Sequence, residues 1–223
     1  MVKKADLKEK EAFEQAVGIQ GGFKGNLISL LKLFCAMLMF PLLVGLGRAF
    51  YHQLLSQTQV IRFSFLFGVI TYVIIHLFIL EPVKINDCGQ LVIGKIFSFY
   101  KPLRTIMYSC VPFYAVFFFI VYIIVKKFST VVISDAYAVF VIAFTIAMHC
   151  VVSARNLKKD SMDALKGDYF FSLFTVFLCA VVLLTAMFRL MLHDFSFVAM
   201  LREGFDYGVT TVVLICKQLF VVG

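Results

Sequence analysis

The sequence predicts an all-α, polytopic integral membrane protein of five to six transmembrane helices, with a re-entrant or interfacial segment after the second. Charge is scarce: 15% of the 223 residues are charged and 62% are hydrophobic, whereas a soluble domain carries roughly 25% charged residues. The apolar residues also gather into long runs. A hydrocarbon core of roughly 30 Å is crossed by about 20 helical residues. Leu27–Leu46, Ile61–Leu80, Thr105–Val125, Thr130–Ser153 and Tyr169–Leu192 reach that length. A sixth run, Tyr207–Val222, is shorter and holds Lys217 near its end. It reads as a final span or as a helix lying at the interface.

Residues 1–25 read as a cytoplasmic tail, ahead of a helical membrane domain over 26–223. In the tail, Ala5–Val17 suits a short charged helix with Leu7, Phe13 and Val17 as a sparse apolar edge. Gly21-Gly22-Phe23-Lys24-Gly25 then breaks it. The first apolar run follows this charged tail and has no small-residue cleavage site, unlike a secretory leader.

The first run contains Lys32, close enough to its cytoplasmic end to snorkel to the headgroups, and Pro41, which loosens a helix that a neighbouring helix can support. Arg48–Gln59 mixes polar and apolar residues and belongs near the outer interface. With no Trp in the chain, Tyr51, Tyr100, Tyr108, Tyr169 and Tyr207 must supply any aromatic belt. After the second run comes the longest connection, Glu81–Arg104, and within it Leu91–Tyr100 is too short to cross: this is the re-entrant or interfacial segment. Pro112 falls mid-way along the third run and should bend it. The fourth and fifth runs are joined by Ala154–Asp168, which carries both signs of charge. No internal repeat is visible, so an inverted-repeat transporter is not indicated.

Charge sidedness sets the expected topology. With five spans, one side receives Lys3, Lys4, Lys8, Lys10 and Lys24, then Lys84, Lys95, Lys101 and Arg104, then Arg155, Lys158, Lys159 and Lys166. The other receives only Arg48, Arg62, Lys126, Lys127, Arg189 and Arg202. The positive-inside rule places the richer side, and the N-terminus, in the cytoplasm. The net charge of +8 then serves topology and contact with anionic lipid rather than nucleic acid. Six cysteines show no CxxC and no paired spacing, which excludes a disulfide framework and a thiolate zinc site.

Four segments follow one another in a telling order. They are Phe40-Pro41-Leu42-Leu43-Val44-Gly45-Leu46-Gly47-Arg48-Ala49-Phe50, Tyr72–Val83 (YVIIHLFILEPV), Tyr108-Ser109-Cys110-Val111-Pro112-Phe113-Tyr114, and Ala147-Met148-His149 followed by Gly167-Asp168-Tyr169-Phe170-Phe171-Ser172-Leu173. Together they resemble a bacterial group of site-2-protease-type intramembrane zinc metallopeptidases. In that group the Pro-Val element leads into Gly-His-Glu-x-x-His, whose histidines share a helix face to hold zinc while Glu acts as general base. Laid on this chain, Gly89 matches the glycine, but the first His falls on Gln90, the Glu on Leu91 and the second His on Gly94. The connection to the third span is also shorter than the group's usual insert. No His lies between His76 and His149, and no H-E-x-x-H occurs anywhere. The resemblance implies the scaffold and denies the chemistry.

Ionisable residues in the bilayer are functional candidates by default. Asp135 lies about five residues into the fourth run, roughly 7 Å deep at 1.5 Å per residue, with Lys126 and Lys127 as available partners. His76 and His149 lie near the cytoplasmic ends of their runs, too few to make a metal site without a third ligand. These three are the candidate polar membrane residues, with Asp135 expected at the opposite membrane face from the two histidines, while His52, His193 and Asp194 read as interface residues. The combined expectation is a catalytically inactive metallopeptidase-like protein, not an enzyme and without cofactor or metal. It would be an accessory or scaffolding subunit that binds other integral membrane proteins in a bacterial cytoplasmic membrane. Lys84, Lys95, Lys101, Arg104, Arg155, Lys158 and Lys159 would meet a partner or anionic headgroups. The rival reading is a small transporter or channel subunit using Lys32, Asp135 and the proline-bearing spans.

Overall fold

In lipid a spanning segment must satisfy its own backbone, which leaves the helix as the natural form for runs of this composition. The computed structural model describes residues 23–78, 91–92, 110–128, 134–160 and 167–220, with side chains over 30–78, 91–92, 110–128, 134–157 and 169–218. Six helices occupy these segments: α1 Phe23–Leu55, α2 Gln59–Phe78, α3 Phe113–Phe128, α4 Asp135–Asp160, α5 Gly167–Met191 and α6 Phe197–Phe220. No strand occurs among the described residues. Leu30–Leu55, Gln59–Phe78, Asp135–Leu157 and Tyr169–Met191 are each long and apolar enough to cross a membrane. The chain is an all-α, multi-pass membrane protein. The expected tail helix lies outside the described residues, as does the interfacial segment apart from Leu91 and Val92, which are helical and exposed.

Several boundaries differ from the hydropathy reading; α4, for one, runs past Ser153 to Asp160. Helix α1 runs on past Leu46 through the polar stretch, because Ala49, Phe50 and Leu54 keep a buried face while Arg48, Tyr51 and His52 point outward. Helix α6 starts well before Tyr207. Ser196 caps it, its hydroxyl accepting from the Ala199 amide at 3.3 Å, and the helix carries Arg202, Glu203 and Asp206 in its first half. Pro112 does not bend the middle of α3. It sits immediately before the helix, and its carbonyl accepts the Val116 amide at 3.1 Å. A proline lacks only an amide that a helix start would leave unused. Pro41, by contrast, lies inside α1 and is buried.

Packing does not follow chain order. Helix α1 packs chiefly on α6 and α5, whereas α2 packs on α4, which also holds α3 and α5. The α1–α6 pair is antiparallel: Leu42 meets Gly208, Leu46 meets Gly204, and Gln53 accepts the Ser196 amide at 3.2 Å. Glycines make the approach close. A Cβ on Gly45 would fall 2.3 Å from the Gly204 carbonyl oxygen, and one on Gly68 of α2 would fall 2.4 Å from the Phe140 carbonyl oxygen of α4. Small residues of this kind let membrane helices gain van der Waals contact, which drives association where the surroundings are equally apolar.

The largest core cluster sits toward the end of the bundle that holds the turns 56–58 and 192–196. There Phe50, Phe65, Phe188 and Phe195 pack ring on ring, with centroids 5.5–5.9 Å apart. Phe188 and Phe195 are wholly buried. Toward the opposite end Leu30, Leu31, Phe34 and Met37 of α1, and Val213, Leu214 and Ile215 of α6, remain exposed. Such faces meet lipid or other helices.

Candidate functional site

Two helices carry paired polar residues into the far half of the bundle. On α4, Thr145, His149 and Ser153 recur every fourth residue and therefore share one face; all three are buried. On α2, Tyr72 and His76 are spaced likewise, and their rings stack with centroids 5.7 Å apart at 17°. Tyr72 is 1% exposed, meets the Phe144 ring edge-on at 5.5 Å and packs against Met148 and Val152 of α4. Gly68, one turn earlier on α2, lets the two backbones come close enough for this contact.

The hydroxyl of Thr145 is satisfied within its helix, donating to the carbonyls of Val141 and Ile142 at 2.9 and 3.0 Å. The Tyr72 hydroxyl, His76 Nδ1 and Ser153 Oγ are buried with no hydrogen-bond partner among the described residues. A buried polar atom left unmatched costs about 1–3 kcal/mol, and hydrocarbon offers no water to match it. Tyr72 and His76 on α2, and Ser153 on a different face of α4 from the one that meets Tyr72, therefore have hydrogen-bonding capacity that the described residues do not fill.

Asp135 lies at the other end of α4. Fourteen residues separate it from His149, about 21 Å along a helix axis, so Asp135 and the two histidines lie at opposite ends, as the sequence places them. The Asp135 carboxylate accepts from the Tyr122 hydroxyl at 2.5 Å and from Lys126 Nζ at 2.9 Å, and Lys126 also donates to Tyr122 at 2.7 Å. The Tyr122 contact, then the carboxylate, raises the pKa of Lys126 above its ordinary value. Lys127 instead lies over the Phe128 ring, 5.9 Å from its centroid.

A second polar belt lies at this same end. His52 and Glu203 meet at 3.0 Å, and the Arg48 guanidinium sits 4.3 Å above the Tyr207 ring, both joining α1 to α6. His193 and Asp194 are exposed in the α5–α6 turn, 3.5 Å apart, and Arg189 donates to the His193 carbonyl at 2.9 Å.

Among the described residues no three His, Cys, Asp or Glu side chains converge on a point that could hold a metal ion. Of the positions where the resemblance would place zinc ligands and base, Leu91 is helical and exposed, and Gln90 and Gly94 lie outside the described residues. Lys84, Lys95, Lys101 and Arg104 also lie outside them; Arg155 is half-buried on the last turns of α4, where Lys158 and Lys159 follow in the helix.

No protein-family model, curated protein or solved structure matches this chain. Its site must be read from its own residues. Hydropathy reasoning picked out His76 and His149 but passed over Tyr72, Thr145 and Ser153. The fourfold spacing from Thr145 to Ser153 was the available signal. It likewise passed over Gly204-Phe205-Asp206-Tyr207-Gly208, a Gly-x-x-x-Gly pattern that marks a helix-packing face.

Proposed function

We propose that this chain is a non-catalytic membrane adaptor that binds transmembrane helices of other integral membrane proteins. The observation that carries this reading is the α2 side of the α2–α4 seam, where the Tyr72 hydroxyl and His76 Nδ1 are buried with no hydrogen-bond partner among the described residues. A partner helix that inserted at this seam and uncovered them would bring a polar side chain to match them, an exchange worth about 0.6–2 kcal/mol per contact in a membrane. The exposed aromatic and aliphatic faces of α1 and α6 add area for lateral packing.

The metallopeptidase-like resemblance supports the same reading. A scaffold built to receive helical substrates keeps helix binding when Gln90, Leu91 and Gly94 stand where ligands and base would be. By the positive-inside rule, Lys84, Lys95, Lys101 and Arg104 with Arg155, Lys158, Lys159 and Lys166 favour a cytoplasmic location for their side and for the N-terminus, and the resemblance would put the chain in a bacterial inner membrane. The transporter reading draws no support from Asp135, whose carboxylate is engaged by Lys126 and Tyr122 near a helix end.

Affinity purification in mild detergent tests the proposal. The tagged wild-type chain should retain a membrane protein in fixed stoichiometry, and the double variant Tyr72→Phe/His76→Phe should lose most of it while keeping its helical content. Recovery of a lone monomer, or equal retention by the double variant, would sink the adaptor reading.

A further inference from the structure

We infer that the wedge between the end of α1 and the start of α2 holds one anionic phospholipid, its phosphate on Arg62 and one acyl chain along the apolar wall. The wedge exists because α2 leaves α1 directly after the turn 56–58 to pack on α4. Two helices that part from a short turn enclose a widening gap. Here it is a cavity of about 360 Å³, with Tyr51, Gln59 and Arg62 as its polar members and Leu55, Phe63 and Leu66 among its apolar ones.

Arg62 is the group that calls for an occupant. Its Nε is buried without a hydrogen-bond partner among the described residues, and none of the described residues lining the cavity is acidic. A buried N–H with no acceptor is destabilising, and the guanidinium fork matches a phosphate through two parallel hydrogen bonds, Nε–H among the donors. Depth fits as well. Arg62 lies three residues into α2, about 4.5 Å along the axis from its first residue, which is the level of headgroups rather than of the bilayer centre. Leu55, at the turn, and Phe63 and Leu66, deeper along α2, are about half exposed, and the last two continue the cavity toward the hydrocarbon, as an acyl chain requires. A headgroup with net negative charge suits this site best, because a choline would bring its own cation beside the guanidinium. The site lies at the opposite end of the bundle from the α2–α4 seam and does not depend on the adaptor reading.

Native mass spectrometry of the full chain released from detergent tests the inference, with dioleoyl phosphatidylglycerol, dioleoyl phosphatidylcholine and glycerol 3-phosphate as separate probes. One phosphatidylglycerol should be retained roughly tenfold more tightly than phosphatidylcholine, the scale of one charge-assisted contact. Arg62→Gln should abolish that preference, and Arg62→Lys should keep part of it. Leu66→Trp, which fills the apolar wall, should weaken both lipids. Thermal unfolding should rise with phosphatidylglycerol and not with glycerol 3-phosphate. Equal retention of the two lipids, an unchanged preference in Arg62→Gln, stabilisation by glycerol 3-phosphate alone, or a dimer of the chain in place of a lipid adduct would each overturn it.

Discussion

The ammonium of Lys126 shows how a single residue is tuned where the membrane meets water. Its hydrogen bond to Tyr122, and then its pairing with Asp135, raise its pKa above the ordinary 10.5. The folded state thus holds this proton more tightly than the unfolded chain does. The resulting stabilisation is fully present below 10.5 and fades as pH rises through the higher folded value. Its size is modest, under about 1 kcal/mol, because the side chain is 51% exposed and water screens the pair. Unfolding measured between about pH 9 and 12 should fall more steeply for wild type than for Asp135→Asn. Parallel curves would remove Asp135 from the account of Lys126.

At the scale of elements, the α1–α6 seam depends on glycine at one position and is indifferent to it at another. A methyl on Gly45 would press on the backbone of Gly204 and Gly208, at 2.3 and 2.8 Å, and backbone cannot turn aside as a side chain can. A methyl on Gly47 would meet nothing within 4 Å. Gly45→Ala should therefore cost about 1–3 kcal/mol in a detergent unfolding titration. Gly47→Ala should be neutral or gain up to about 1 kcal/mol from helix propensity. Equal effects would mean that α1 and α6 do not meet at Gly45.

The same seam shows where the sequence was legible. Helices α2, α4 and α5 lie close to their apolar runs, since lipid admits one backbone form and hydropathy marks its length. The later part of α1 and the start of α6 escaped notice because Arg48, His52, Arg202 and Glu203 interrupt the apolar pattern. His52 with Glu203 and Arg48 with Tyr207 are paired across the two helices, and such pairing cannot be read from either stretch alone. The candidate site was half legible for a similar reason. A histidine stands out in an apolar run, whereas Tyr72, Thr145 and Ser153 are residues that any membrane helix tolerates singly. Only the fold shows Tyr72 seated against α4.

For the molecule as a whole, the antiparallel pairing of α1 with α6 brings the start of one helix and the end of the other to the same end of the bundle. Reporters fused before α1 and after α6 should therefore report one compartment, the cytoplasm on the proposed topology. Opposite compartments would show that α6 does not return across the bilayer beside α1. That pairing also governs how the protein is made. Helix α1 leaves the ribosome first, but its principal neighbour, α6, emerges roughly 140 residues later, on the order of ten seconds at typical elongation rates. During that delay the nascent chain holds Gly45 uncovered at the translocon, and it is then that mispairing is easiest.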